Sequence, residues 1–161
     1  MAQRDVIDRL RDVSRRISAL AGVEQPAGLT EPDPDTPEER WDAAQVWAHM
    51  AEFVAYWHGQ LAHVVGAYRG EPVAFGRTKT DAGRIDAIAT GRHRPIAELA
   101  AETEASIGAL EAYLATLDDA AWSARGLHPT RGVMDVPAMV KRFVTDHLDE
   151  HAAQLQSLAA A

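Results

Sequence analysis

The stretch Val136-Pro137-Ala138-Met139-Val140-Lys141-Arg142-Phe143-Val144-Thr145-Asp146-His147-Leu148-Asp149-Glu150-His151 decides the fold. From Val136 through Val140, Phe143, Val144, His147 and His151 to Leu155 and Leu158, one set of residues recurs at steps of three and four. That is the period of one helix face. Two histidines therefore stand where core residues belong. Residues four apart on a helix have Cβ atoms roughly 5–6 Å apart, so two imidazoles at this spacing can share one metal ion.

Working outward, this helix is expected to begin near Asp135, with Pro137 in its first turn, where proline's missing N–H is harmless. The preceding residues 120–134, with Trp122, Gly126, Pro129 and Gly132, read as loop. A third helix opens at Pro95 and carries Ile96, Leu99, Thr103, Ile107, Leu110, Leu114 and Leu117 on one stripe. Asp118-Asp119 is expected to close it. Residues 70–94 form a long connection, with a short helix expected from Thr80 to Ala89.

The second helix has strong start signals. Asp42 and Gln45 make a capping-box pair, and Trp41 and Val46 the flanking hydrophobic staple. Its stripe runs through Val46, His49, Met50, Phe53, Trp57, Leu61, Val64 and Tyr68, so a third histidine, His49, joins a core face. Gly70 and Pro72 end it. The first helix, about Asp5 to Ala21, carries Val6, Leu10, Val13, Ile17 and Leu20. Pro26, Pro32, Pro34 and Pro37 keep the connection over residues 23–40 extended. No segment shows a strand period and nothing repeats. The expectation is a single all-α domain over residues 1–161, a four-helix bundle with a long connection between helices two and three. Helices one and two, and three and four, are expected to be antiparallel neighbours; two and three can be parallel.

Composition narrows the function. The formal net charge of the 161-residue chain is −8 at pH 7, against a duplex nucleic-acid partner, which needs a basic face. Arg9-Arg11-Arg15-Arg16 and Arg84-Arg92-Arg94 are interleaved with acids and read as solvated faces. The N-terminus has no apolar signal-peptide core, and no apolar run is long enough to span a bilayer. The sequence contains no cysteine, which excludes thiolate metal sites and cysteine nucleophiles and fits a cytoplasmic protein.

The chemistry converges on His49, His147 and His151. Inward-facing side chains of adjacent bundle helices meet on one axis. Three neutral imidazoles suit a divalent transition metal and leave one coordination position open. The bland alternative is a set of hydrogen-bonded core histidines, but burying three imidazoles without partners is costly. Gln154 lies on the same stripe. Glu52 and Glu150 lie at the stripe edges, placed to orient an imidazole or to move a proton. His147 to Glu150-His151 also fits the H-x-x-E-H protease pattern. No acidic ligand follows within Ala152–Ala161, which sets that reading aside. His93 and His128 read as loop histidines at the surface, although His128-Pro129 could sit near a pocket mouth. Trp47, Trp57 and Trp122 read as packing residues.

Three segments, Trp41-Asp42-Ala43-Ala44-Gln45-Val46-Trp47-Ala48-His49, His128-Pro129-Thr130-Arg131-Gly132 and His147-Leu148-Asp149-Glu150-His151-Ala152-Ala153-Gln154-Leu155, occur in this order. Together they resemble the DinB-like superfamily, in the branch with thiol-dependent transferases. The resemblance implies up-down-down-up topology and a metal, zinc or nickel, held by His49, His147 and His151. It also implies a homodimer and, in some members, mycothiol or bacillithiol as co-substrate. Members that isomerise maleylpyruvate with mycothiol carry a Glu where this chain has His147, so that activity does not transfer. The expected function is a metal-dependent transferase using a low-molecular-weight thiol, with Glu150 or Glu52 as proton acceptor. Arg77 and Arg84 would hold an anionic small-molecule substrate. A metal-dependent hydrolase using bound water, and a non-enzymatic metal-binding or stress-associated dimer, are the alternatives.

Overall fold

The computed structural model describes residues 3–160. Four long helical segments build the bundle: α1 (Gln3–Ala21), α2 (Ala43–Ala67), α4 (Ile96–Ala115) and a last segment made of α6 (Val136–Val140), a π turn (Lys141–Thr145) and α7 (Asp146–Ala160). Short elements fill the connections: β1 (Val73–Ala74), α3 (Ala82–Gly91), α5 (Asp119–Trp122), β2 (Arg125–His128) and β3 (Gly132–Asp135). The topology is up-down-down-up.

The helix starts follow the local chemistry. Asp42 Oδ1 accepts from the Gln45 N–H at 2.9 Å, and the Gln45 side chain accepts from the Asp42 N–H at 3.1 Å, closing the expected capping box. Asp135 caps the last segment by accepting from the Ala138 N–H at 2.9 Å. Asp118 does not close helix three; it caps α5, accepting from the Ala121 N–H at 2.8 Å. The apolar stripes are buried as read except at their ends, where Leu20, Tyr68, Ile96 and Leu117 are half-buried, and Thr103, a hydroxyl in that core, donates to the Leu99 carbonyl at 2.8 Å.

Three further features differ from the sequence reading. Helices one and two, and helices three and four, are not the packing partners expected: α1 packs mainly on α4 and the last segment, and α2 packs mainly on α4 and α3 and less on the last segment. The connections from α1 to α2 and from α4 to the last segment therefore cross the bundle's diagonals, while the one from α2 to α4 joins neighbours. Within residues 120–134, read as loop, β2 pairs with β3 in a hairpin that runs on to Asp135, with Leu127 paired to Val133 and His128 to Gly132. Its turn ends at Gly132, whose φ of +74° lies in the left-handed region that glycine adopts without a Cβ penalty. β1 adds to β2 in parallel, giving the order β1-β2-β3. The expected continuous last helix is interrupted, because the Asp146 N–H reaches back five residues to the Lys141 carbonyl. A π turn holds one more residue than an α turn. Phe143, Val144 and Thr145 are consequently all buried in succession, just before the histidine pair. Thr145 satisfies its hydroxyl on the Lys141 carbonyl at 3.1 Å.

Across the bundle, Arg9 and Arg16 of α1 pair with Asp146 and Asp149 at 2.9–3.1 Å, fixing the start of α7 from its outer side. Among the described residues no helix is long and apolar enough to cross a membrane.

Candidate metal centre

The buried face of α2 and the first turns of α7 bring His49, His147 and His151 together. One ring nitrogen from each lies within 4.8 Å of the other two. His49 Nε2 and His147 Nε2 are 3.3 Å apart. At metal–nitrogen distances of about 2.0–2.1 Å, two ligands of a tetrahedral ion are separated by about 3.3 Å, the spacing observed.

The opposite ring edges fix the tautomers. His49 Nδ1–H donates to Glu52 Oε1 at 3.1 Å, since a carboxylate can only accept. His151 Nδ1–H donates to Gln154 Oε1 at 2.7 Å. The His147 ring hydrogen-bonds the Phe143 main chain. Each Nε2 is thereby left as a lone pair aimed at the common centre. His151 Nε2 is buried and has no hydrogen-bond partner, and two lone pairs facing at 3.3 Å repel unless a cation lies between them. These residues fit a metal ion: three neutral nitrogens, each backed by an acceptor that holds it in place.

Burial keeps the imidazoles neutral. It pushes His49 and His147 well below the ordinary histidine value, helped by the charge each neighbour would carry. It pushes His151 down to about 4, against the opposing effect of Gln154. Aromatic rings wall the centre. Phe53 stacks on His147 at 4.2 Å, and Trp41 lies 5.9 Å from His151 and 5.1 Å from His49. Trp41 is held there by the proline-rich connection: its N–H donates to Thr30 Oγ1 at 2.9 Å and its carbonyl accepts from the Thr30 N–H at 2.8 Å. Sequence reasoning assigned Trp41 only a capping role, and nothing in its spacing signals a contact with His151.

The centre opens into a cavity of about 500 Å³. Arg77, Arg84, Glu150 and Gln154 line it, as does His128. Arg77 and Arg84 are not free cations. Arg77 Nη2 lies 2.5 Å from Glu52 Oε1, and Arg84 reaches Glu39 at 3.3 Å and the Lys79 carbonyl at 3.0 Å. Arg84 is buried, so the solvated face expected over Arg84, Arg92 and Arg94 holds only for the last two. Glu52 lies behind the triad, and burial raises its proton affinity against the pull of Arg77. Glu150 is exposed and pairs loosely with Arg142 at 3.3 Å. His128 is only 3% exposed, so it is not the surface histidine that its loop-like surroundings suggested. His93 is exposed, and Trp47, Trp57 and Trp122 are buried packing residues.

A helical bundle with three imidazoles converging beside an open cavity defines a class of protein: a four-helix bundle built around a candidate metal site. The chain belongs to the DinB superfamily, whose family description matches residues 4–155. No curated protein matches the sequence. Among solved structures, YfiT from Bacillus subtilis, described as a probable metal-dependent hydrolase with an unusual four-helix bundle topology, is similar at 18% identity. The match covers 98% of this chain and 86% of that one, with a TM-score of 0.75. The mycothiol-dependent maleylpyruvate isomerase is similar at 17% identity and a TM-score of 0.74, over 96% of this chain but only 61% of the isomerase. At such identities these likenesses show the shared fold.

Proposed function

We propose that the protein is a metal-dependent transferase acting with a low-molecular-weight thiol. The observation that carries this reading is the convergence of three tautomer-fixed Nε2 atoms, one of them buried without a partner, at the wall of a roughly 500 Å³ cavity. His49, His147 and His151 would hold a divalent ion, zinc or nickel, and a metal-bound thiol is deprotonated and nucleophilic at neutral pH. The cavity far exceeds the needs of one water molecule, and the chain has no cysteine to serve as nucleophile.

The remaining residues have distinct tasks in this reading. Gln154 holds the His151 ring and Glu52 the His49 ring. Glu150, exposed on the cavity wall, takes up the proton a thiol releases. Arg77, held by Glu52 and Asp81, and Arg84, held by Glu39 and the Lys79 carbonyl, line the cavity and would place positive charge beside an anionic electrophile. Mycothiol and bacillithiol are the thiols that the family suggests, and a homodimer is the assembly; size-exclusion chromatography with light scattering tests the latter.

The test is thiol-dependent turnover. Mycothiol, bacillithiol, glutathione and coenzyme A are each supplied with an electrophilic partner to metal-loaded protein. The expected result is conjugation with one of them, lost in His49→Ala. The probable hydrolase assignment of YfiT favours a second reading, in which a metal-bound water does the work. Ester or amide hydrolysis without thiol, also lost in His49→Ala, would replace the transferase reading with that one.

A further inference from the structure

His128 sits at the end of β2, outside the metal triad, and the chemistry above does not use it. Its ring is buried against the main chain of the 76–77 segment. A methyl group on Gly76 would lie 2.9 Å from His128 Nε2 and overlap its Cδ2, so the ring occupies the space a side chain would take. Gly76 has a φ of +90°, which other residues rarely adopt. The turn is held from a second side, because the Gly76 N–H donates to Gln60 Oε1 at 2.7 Å. The Phe75 N–H, one residue earlier, donates to the Leu127 carbonyl beside His128. The hairpin and the Gly76 turn are thus one packed unit.

The next residue is Arg77. Its guanidinium lies 3.8 Å over the Tyr56 ring, 3.5 Å from Asp81 Oδ1 and 2.5 Å from Glu52 Oε1. The same Glu52 oxygen accepts the His49 Nδ1–H at 3.1 Å. A continuous set of contacts therefore runs from His128 through the Gly76–Arg77 main chain, the Arg77 guanidinium and Glu52 to His49. A bidentate-capable guanidinium that holds one carboxylate oxygen fixes that oxygen's position. The oxygen's position in turn decides which nitrogen of His49 carries the proton.

We propose that His128 is a positioning residue: seated in the Gly76 gap, it sets the register of Arg77 and, through Glu52, holds His49 in the Nδ1–H tautomer that leaves Nε2 free for a metal. This inference rests on the reading of the triad as a metal site, and its test works on the metal-free protein. The ring ¹⁵N signals of His49 distinguish its two tautomers by NMR. Wild type should show the Nδ1–H form. His128→Leu, which leaves Glu52 in place, should shift His49 toward a mixture, as Glu52→Gln does directly. Added to Glu52→Gln, it should produce no further shift, since the path is already cut. Gly76→Ala, which displaces the ring without removing it, should reproduce the shift and carries the test if His128→Leu does not fold. Unchanged His49 signals in a folded His128→Leu or Gly76→Ala protein, with Glu52→Gln shifted, would overturn the proposal. So would shifts that add in the double variant. A wild-type protein that takes up no Co²⁺, by contrast, overturns the metal reading and leaves the tautomer result to stand or fall by itself.

Discussion

Acid should destabilise the metal-free protein well before its carboxylates titrate. The cause is that the imidazoles of His49 and His151, which are buried, and of His147, which is half-buried, are neutral in the fold but free to charge when unfolded. A group whose folded pKa lies below its unfolded value contributes stability above the unfolded value. That stability is lost as pH falls toward the folded value. His151 is pushed down to about 4 from 6.5, so its window runs from about pH 6.5 to about pH 4. Between pH 7 and pH 5 the unfolded chain gains its proton while the folded one does not, which costs about 2 kcal/mol from this residue alone. His49 and His147 are lowered for the same cause and add in the same direction. Glu52, whose proton affinity burial raises, opposes them in part. With a urea dependence of about 1–3 kcal/mol/M, the unfolding midpoint of chelator-treated protein should fall by about 1 M or more between pH 7 and pH 5. His151→Phe should flatten this dependence. A metal-saturated sample should hold its midpoint to lower pH, because a ligated imidazole stays neutral until protons displace the ion. A midpoint constant from pH 7 to pH 5 in the metal-free protein would show that the fold does not hold these imidazoles neutral.

Two further outcomes follow from named contacts. Asp42→Ala removes the acceptor for the Gln45 N–H and should lower unfolding free energy by about 1 kcal/mol, with an unchanged urea midpoint showing that Asp42 is not the cap. Gln154→Leu leaves the His151 Nδ1–H without its acceptor and should weaken Co²⁺ or Zn²⁺ binding by about 10–100-fold; isothermal titration checks it, and an unaltered affinity would mean that the tautomer is fixed elsewhere.

The triad and the bundle were legible because both are written at helical spacing. Val46, His49, Met50 and Phe53 declare an inward face of α2, and His147 and His151 do the same on α7. Long helices bury what their period says they bury. The hairpin was hidden because Arg125–His128 and Gly132–Asp135 are each four residues long, too short for alternation to stand above chance, and partner β1 has only two residues. Their pairing is a tertiary fact. The burial of His128 follows from that pairing, so a reading that lacks the strands makes His128 a loop histidine. The π turn was hidden for a different reason: a one-residue insertion between Val140 and His147 leaves the three-and-four pattern intact on paper. Arg77 and Arg84 looked like free anion binders because their partners, Glu52 and Glu39, come from elements 25 and 45 residues away. Sequence distance conceals such pairs.

The proposed chemistry requires that His49, His147 and His151 form one metal site. Titration of metal-free protein with Co²⁺, followed by its visible d–d absorption, tests it most directly. One ion per chain is expected, with the band abolished in the His147→Ala, His151→Ala double variant and strongly weakened in His49→Ala. Stoichiometric binding with an unchanged band in that double variant would contradict it.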